Sequence, residues 1–224
     1  MSRASERAYQ HIRAMILRAE LVPGEQIREE QLADACEVSR TPVREALQRL
    51  EAESLIRRND SQRSFVAEWS RADVEESFQL RAMLEGHATR RAATRISEVQ
   101  LTELKSANAK LEAAVKKVRP DIPTFLEQNR SFHSIIIEAA ASFRLANMLT
   151  HIVEQPVIFR TAHQYDQENL LRSHHEHMEL IAAFERRDGD WAEAIMTAHI
   201  RRAFHAFADA HQRDISALPD DIAA

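Results

Sequence analysis

Glycine, cysteine and proline are scarce in this chain, and each shortage excludes something. With only 3 glycines and 6 prolines, a fold built from many tight turns is disfavoured and a mainly helical protein is indicated. The single cysteine, Cys36, excludes an internal disulfide and suits a reducing cytoplasm. We therefore expect a mainly helical, cytoplasmic protein.

Long apolar runs are also missing, and so is an excess of positive charge. No apolar run approaches the length of a membrane span, and the first six residues are too polar for a signal peptide. Hydrophobic residues still make up 44% of the chain, enough for one large or two small packed domains. Because the net charge is −5, any surface that binds nucleic acid must be a local basic patch.

The first seventy residues combine helical patterns with a strand-like pair. Two apolar pieces, 55–58 and 64–67, flank a polar turn and predict a β-hairpin. Thr41 is the expected N-cap of the helix that precedes this hairpin. The order helix, helix, tight turn, helix and hairpin is that of a winged helix-turn-helix, whose last helix enters the DNA major groove. Apolar spacing predicts its three helices over about 8–19, 29–36 and 42–53.

Arginines occupy the polar face of the third helix and the hairpin. Arg40, Arg44 and Gln48 follow one another at spacings of four, away from the apolar stripe. Arginine binds guanine edges bidentately and also clamps phosphates. A lone arginine stripe is better explained as a solvated helix face, but its place in this motif favours DNA contact. The hairpin adds Arg57, Arg58 and Arg63, which lie where a wing contacts the DNA backbone.

This half closely resembles the GntR family of bacterial regulators. The resemblance rests on Val22-Pro23-Gly24, Leu32-Ala33 and the segment VSRTPVREALQRL at 38–50. It implies that Ser39, Arg40, Thr41 and Arg44 contact operator bases and phosphates. Two positions depart from the family: Ser54 replaces a usual glycine before the hairpin, and the wing tip at 62–66 lacks one. The full expected DNA-binding set is Ser39, Arg40, Thr41, Arg44, Arg49 and Arg63.

Beyond residue 70 only helical patterns occur, and the chain is rich in histidine, with 11 in all. Asn129 and His133 share one helix face, while His177 and His199 lie on apolar faces of two other helices. Inward-facing histidines from three helices can converge in a bundle core. Each alone is better explained as a hydrogen-bonded core residue, but as a set they favour a first-row divalent metal. The six predicted helices are 72–94, 97–118, 122–140, 143–164, 168–187 and 190–212.

This second half resembles the FCD subfamily of GntR regulators, through segments at 80–85, 129–133, 176–181 and 196–200. The resemblance implies a metal, held by Asn129, His133, His177 and His199, that binds effector carboxylates. Asn129 stands where the family often has an acid, and an amide donates no charge. The resemblance also implies that Arg81 binds a carboxylate, although an ion pair with Glu85 at i, i+4 suits the spacing almost as well. His174 is the expected neighbour in the effector pocket.

We therefore expect a mainly α protein in two domains: a winged helix-turn-helix over 1–70 and an all-helical effector-binding and dimerisation domain over 71–213. A flexible tail should cover 214–224. The leading hypothesis is a homodimeric repressor, not an enzyme, that reads a palindromic operator and binds a small organic acid. Each chain should hold one divalent metal of the zinc, nickel or manganese class. The alternatives are a metal-dependent hydrolase, for which no H-E-x-x-H signature occurs, and a DNA-binding protein without an effector.

Overall fold

The computed structural model describes residues 2–18, 20–68, 70–153 and 166–216. The chain divides after Ala72 into two compact units, close to the boundary expected after residue 70. The described part of the first unit contains helices α1 (Arg3–Leu17), α2 (Glu29–Cys36) and α3 (Arg40–Ala52), followed by strands β1 (Ile56–Arg58) and β2 (Ser64–Val66).

The first unit is a three-helix cluster with a hairpin beside it, which confirms the expected element order. Helix α1 packs on α3, and α2 packs on both. The strands are antiparallel, with Ile56 opposite Val66. The connection between α1 and α2 is tied to β2, because the Ile27 amide donates to the Ser64 carbonyl at 2.8 Å. The core contains Ile12, Val43, Leu47 and Leu50, each at most 1% exposed.

Two helix starts differ from the sequence prediction. Helix α1 begins at Arg3 because the Ser2 hydroxyl caps it, accepting from the Ser5 amide at 3.1 Å. Helix α3 begins at Arg40, and Ser39 occupies its N-cap position, so the expected cap at Thr41 is wrong. Pro42 lies in the first turn of α3, where a missing amide hydrogen costs no helical hydrogen bond.

The second unit is all-helical over its described residues, as expected. Helix α5 packs against both α6 and α8, and α8 packs against α9. The capping box at the start of α5 is present: the Ser97 hydroxyl accepts from the Gln100 amide at 3.2 Å, and Gln100 Oε1 accepts from the Ser97 amide at 3.1 Å. Its described helices are α4 (Arg71–Ala93), α5 (Glu98–Val115), α6 (Ile122–Ala139), α7 (Phe143–Val153), α8 (Gln167–Glu185) and α9 (Gly189–Ser216).

The ends of two helices bear on the predicted boundaries. Helix α9 continues to Ser216, so the first residues of the expected tail are helical; 217–224 lie outside the described residues. The expected helix 143–164 is described as far as Val153, and its remainder also lies outside. None of the described helices is long and apolar enough to cross a membrane.

Gly86 lets α4 and α9 approach each other closely. A Cβ at this position would lie 2.7 Å from Thr197 Oγ1 on α9. Only glycine leaves room for this contact without moving the threonine. The close approach lies next to Glu85 on α4 and two residues before His199 on α9.

Candidate functional site

The exposed face of α3 carries the residues expected to contact DNA. Ser39, Arg40, Thr41 and Arg44 are all exposed. The opposite face is buried against α1 and α2. The helix therefore presents hydroxyl and guanidinium groups outward from a fixed apolar base, as a recognition helix requires.

Glu29, the first residue of α2, binds both arginines of this face. Its Oε2 accepts from Arg44 Nε at 2.8 Å and from Arg40 Nη2 at 3.2 Å. Partial burial would raise the pKa of Glu29, but the two guanidinium groups outweigh this and lower it. Sequence reasoning missed Glu29, because its position in a preceding helix gave no signal of the contact.

Arg63 lies at the exposed tip of the hairpin. The tip is closed by the Asn59 side chain, whose Oδ1 accepts from the amides of Ser61 and Arg63 at 3.1 and 3.0 Å. The other two wing arginines are paired with carboxylates: Arg57 with Glu68 at 3.0 Å and Arg58 with Glu51 at 3.1 Å. Arg63, in contrast, is exposed and has no carboxylate partner among the described residues.

Arg49 is placed differently from the other expected DNA contacts. Its guanidinium stacks 3.6 Å above the Tyr9 ring and binds Glu6 and Glu53, each at 3.1 Å. The Tyr9 hydroxyl also donates to Glu53, and burial followed by this hydrogen bond raises the pKa of Tyr9 to about 12. Arg49 thus joins α3 to α1, away from the face that carries Arg40 and Arg44.

The two departures from the family's glycines both fall on left-handed backbone. Ser54, before the hairpin, has φ of 57° and Gln62, at the wing tip, has φ of 59°. Glu37 in the turn of the helix-turn-helix adopts φ of 52°. Residues with a Cβ rarely adopt this backbone conformation. The wing therefore keeps the backbone that glycine favours while carrying other residues.

Three buried histidines converge in the second unit, as the sequence suggested. His133 on α6, His177 on α8 and His199 on α9 are between 0 and 5% exposed. One ring nitrogen from each lies within 4.8 Å of the others. This spacing matches a set of ligands around a single cation.

Two of these histidines are oriented by carboxylates, one from the buried Glu85 and one from the half-buried Glu176. His133 Nδ1 lies 2.7 Å from Glu85 Oε2, and His199 Nδ1 lies 2.6 Å from Glu176 Oε2. If each Nδ1 donates to its carboxylate, each Nε2 keeps a free lone pair. Arginines bind the outer side of both carboxylates: Arg81 binds Glu85 at 2.8 Å and Arg202 binds Glu176 at 2.6 Å.

His177 is held by stacking instead of by hydrogen bonds. Its ring lies 3.9 Å from the Phe132 ring and nearly parallel to it, at 6°. Neither of its nitrogens has a hydrogen-bond partner among the described residues, and the same holds for His133 Nε2. A buried imidazole without a partner is costly. These nitrogens therefore fit a bound cation, which would satisfy them together.

The electrostatics favour neutral rings at His177 and His199 and anionic carboxylates at Glu85 and Glu176. Burial lowers the pKa of His177 well below its usual value and also lowers that of His199. Burial would raise the pKa of Glu85 and Glu176, but their arginine and histidine neighbours lower both to about 2. Neutral nitrogen donors backed by carboxylates are the donor set that zinc, nickel and related ions prefer.

The remaining predicted pocket residues have distinct surroundings. Of the two interpretations of Arg81, the ion pair with Glu85 is present, and Arg81 is buried. His174 is also buried, 3.6 Å from Glu112, and its Nδ1 has no partner among the described residues. Asn129 is half-buried one helical turn before His133, and its role as a ligand stays a prediction.

Sequence reasoning missed Glu176, Arg202 and Phe132. Phe132 precedes His133 in the chain, which gave no sign that it stacks on His177. A weak signal existed for Glu176, because His199 and Arg202 are three residues apart on one helix face and both can bind a carboxylate. Which neighbouring helix supplies that carboxylate follows only from the packing of α8 on α9.

Comparison with known proteins matches both units. The model of bacterial regulatory proteins of the gntR family matches residues 4–66, and that of the FCD domain matches residues 76–202. The HTH-type transcriptional repressor RspR of Escherichia coli (strain K12) is 28% identical over 200 residues, which cover 88% of this chain and 86% of RspR. The Nta operon transcriptional regulator of Aminobacter aminovorans is 27% identical, covering 81% and 84%.

Solved structures show the same fold. E. coli McbR/YncC superposes with a TM-score of 0.78 at 21% identity, covering 95% of this chain and 99% of that one. A GntR regulator from Rhodococcus sp. RHA1 gives 0.73 at 20% identity, covering 93% and 99%. Because family models match both units, the chain belongs to the FCD-containing GntR family. It is therefore a DNA-binding transcriptional regulator and not an enzyme.

Proposed function

We propose that this regulator is a repressor whose operator affinity is controlled by a small carboxylate metabolite bound at a metal centre of His133, His177 and His199. The observation that carries the proposal is His177, fully buried with neither nitrogen bonded among the described residues. One relative bears the name repressor, and we propose the same role for this chain.

The chain's own residues supply most of the proposed centre. His133 and His199 each offer Nε2, because Glu85 and Glu176 hold the opposite nitrogens, and Phe132 fixes the plane of His177. The half-buried Asn129 would add a weaker oxygen. A cation bound here would supply open coordination positions for an effector carboxylate. His174, three residues before His177 on the same helix, is proposed to contact the rest of the effector.

On the DNA side, we propose contacts by Ser39, Arg40, Thr41 and Arg44 in the major groove and by Arg63 on the backbone. A single head makes too few contacts for physiological specificity. We therefore propose a homodimer that reads a palindrome of two half-sites. The effector acts by binding unequally to two arrangements of the heads.

Metal content tests the centre directly. Protein purified without a tag or chelator should contain about one divalent ion per chain by elemental analysis. His177→Ala should abolish this, whereas His175→Ala, an exposed histidine on the same helix, should not. If the wild type carries no ion, and added zinc, nickel or manganese neither raises its melting temperature nor alters operator binding, the metal centre is wrong.

DNA titration tests the contacts of α3. The probe is a duplex selected by the wild-type protein from a random library, at fixed salt. Arg40→Ala and Arg44→Ala should each weaken binding by about 1–3 kcal/mol. Arg18→Ala removes the same charge from an exposed site outside α3 and should change affinity far less. If Arg40→Ala and Arg44→Ala bind the duplex as tightly as the wild type, the assignment of these arginines as DNA contacts is wrong.

A further inference from the structure

The carboxylate of Glu29 occupies an unusual place, between two arginines that are proposed to read bases. A single oxygen, Oε2, binds both Arg40 and Arg44. All three side chains remain between 30 and 57% exposed. An exposed ion pair contributes little to folding stability, so stability does not account for the arrangement.

The geometry of the contact leaves the terminal nitrogens of Arg44 free and occupies only one of those of Arg40. Glu29 binds Arg44 through Nε, on the side of the guanidinium. The two terminal nitrogens of Arg44 remain available as a fork, which is the part that binds O6 and N7 of guanine. Arg40 gives one terminal nitrogen to Glu29 and retains its other donors. The carboxylate therefore fixes each guanidinium without covering it.

A fixed guanidinium and a free one differ in what they bind well. A long arginine side chain loses rotamer freedom when it docks on a base edge, and an arginine that is already ordered loses less. A phosphate accepts a guanidinium from many directions, so ordering the arginine strengthens phosphate binding less than base binding. The carboxylate of Glu29 also repels a nearby phosphate. Glu29 thus favours base edges over backbone.

We infer that Glu29 is a specificity-determining residue, which positions Arg40 and Arg44 for base recognition and suppresses non-specific binding to phosphates. It is a positioning residue, since it acts through the arginines. The inference rests on the proposed role of Arg40 and Arg44 at the operator, and extends it to a residue of the preceding helix.

The test compares Glu29→Gln with Glu30→Gln. Glu30 is the next residue in the same first turn of α2 and is exposed, so both variants remove one negative charge at almost the same place. Affinity is measured for the library-selected duplex and for a scrambled duplex of equal composition, over a series of salt concentrations. Thermal unfolding confirms that both variants fold.

Both variants should bind the scrambled duplex more tightly than wild type, because each removes a charge that repels phosphates. The ratio of selected to scrambled affinity should remain near the wild-type value in Glu30→Gln and fall about tenfold in Glu29→Gln, because only the latter releases the arginines. If Glu29 has only a structural or a general electrostatic role, the ratio of selected to scrambled affinity should be the same in the two variants.

Equal ratios in the two variants would overturn the inference, and so would a higher ratio in Glu29→Gln, which would make the carboxylate a simple competitor of DNA. The Arg44→Ala variant separates this failure from that of the proposed function. If Arg44→Ala loses operator affinity while the two glutamine variants agree, Glu29 has no positioning role. If Arg44→Ala binds normally, the assignment of α3 itself fails.

Discussion

Each unit of this regulator contains an arginine Nε that lies 2.8 Å from a glutamate oxygen, Arg44 with Glu29 and Arg81 with Glu85. The surroundings of the two pairs differ. The side chains are 57 and 30% exposed in the first pair but 6 and 2% exposed in the second. Distance therefore does not decide what an ion pair does; solvation does. The first pair can form or open at little cost in stability, whereas the second must stay formed.

The largest expected effect comes from breaking the buried pair. Glu85→Ala leaves Arg81 charged without its partner at a buried position and should lower the free energy of unfolding by about 3–5 kcal/mol. Glu29→Ala removes the exposed counterpart and should cost less than about 1 kcal/mol. Urea unfolding of the full chain measures both. Equal costs would show that burial does not distinguish the pairs.

A double variant sharpens this comparison. Arg81→Met with Glu85→Leu removes both buried charges and should recover much of the loss of Glu85→Ala, because an apolar pair avoids the desolvation cost. It also removes the carboxylate that orients His133. Stability and metal binding should therefore separate in this variant, the first recovering while the second stays weak.

The next effect concerns the carboxylates behind the proposed metal centre. Glu176→Gln keeps the shape but weakens the hold on His199, and metal affinity should fall about 10–100-fold. Glu179→Gln, an exposed glutamate on the same helix, is the control. Competition with a chelator of known affinity gives the dissociation constants. Unchanged affinity in Glu176→Gln would mean that this carboxylate does not support a ligand.

Acid should destabilise the helical unit before the DNA-binding head. Burial depresses the pKa of His177 and His199 from 6.5, so the unfolded chain binds more protons than the folded one below that value. Stability is therefore highest above about pH 6.5 and falls below it, by at most about 1.4 kcal/mol per pH unit for each group until its folded-state pKa is reached.

Native-state hydrogen exchange at pH 7.5 and 5.5, with chelator present, follows each unit separately. His177→Phe should reduce the pH dependence of the helical unit, whereas His205→Asn, at an exposed site, should leave it unchanged. A larger loss of exchange protection in the head than in the helical unit between pH 7.5 and 5.5 would contradict the prediction.

The sequence predicted a great deal of this molecule, and the parts it missed share a physical cause. Helical spacing placed α2 over its full length and brought His133, His177 and His199 to inward faces, because these properties depend on local periodicity. Glu29, Glu176 and Phe132 act across helices, and their contacts depend on packing angles that periodicity does not contain. Arg49 is a different case: its spacing of five from Arg44 already indicates another face of α3, but its contacts with Tyr9 and Glu6 on α1 follow only from the packing.

The smallest expected effect concerns backbone conformation in the head. Ser54 and Gln62 hold φ near +57° and +59°, where a Cβ costs roughly 1–2 kcal/mol. Glycine removes that cost but gains entropy in the unfolded chain, which offsets about 0.4–1 kcal/mol of it. Ser54→Gly and Gln62→Gly should therefore each stabilise the head by about 0.5–1 kcal/mol, while Ser54→Ala and Gln62→Ala should not. Hydrogen exchange of the amides of α1 and α3 measures the change without interference from the helical unit. If a glycine variant is no more stable than the alanine variant at the same position, the left-handed backbone does not limit the stability of the head.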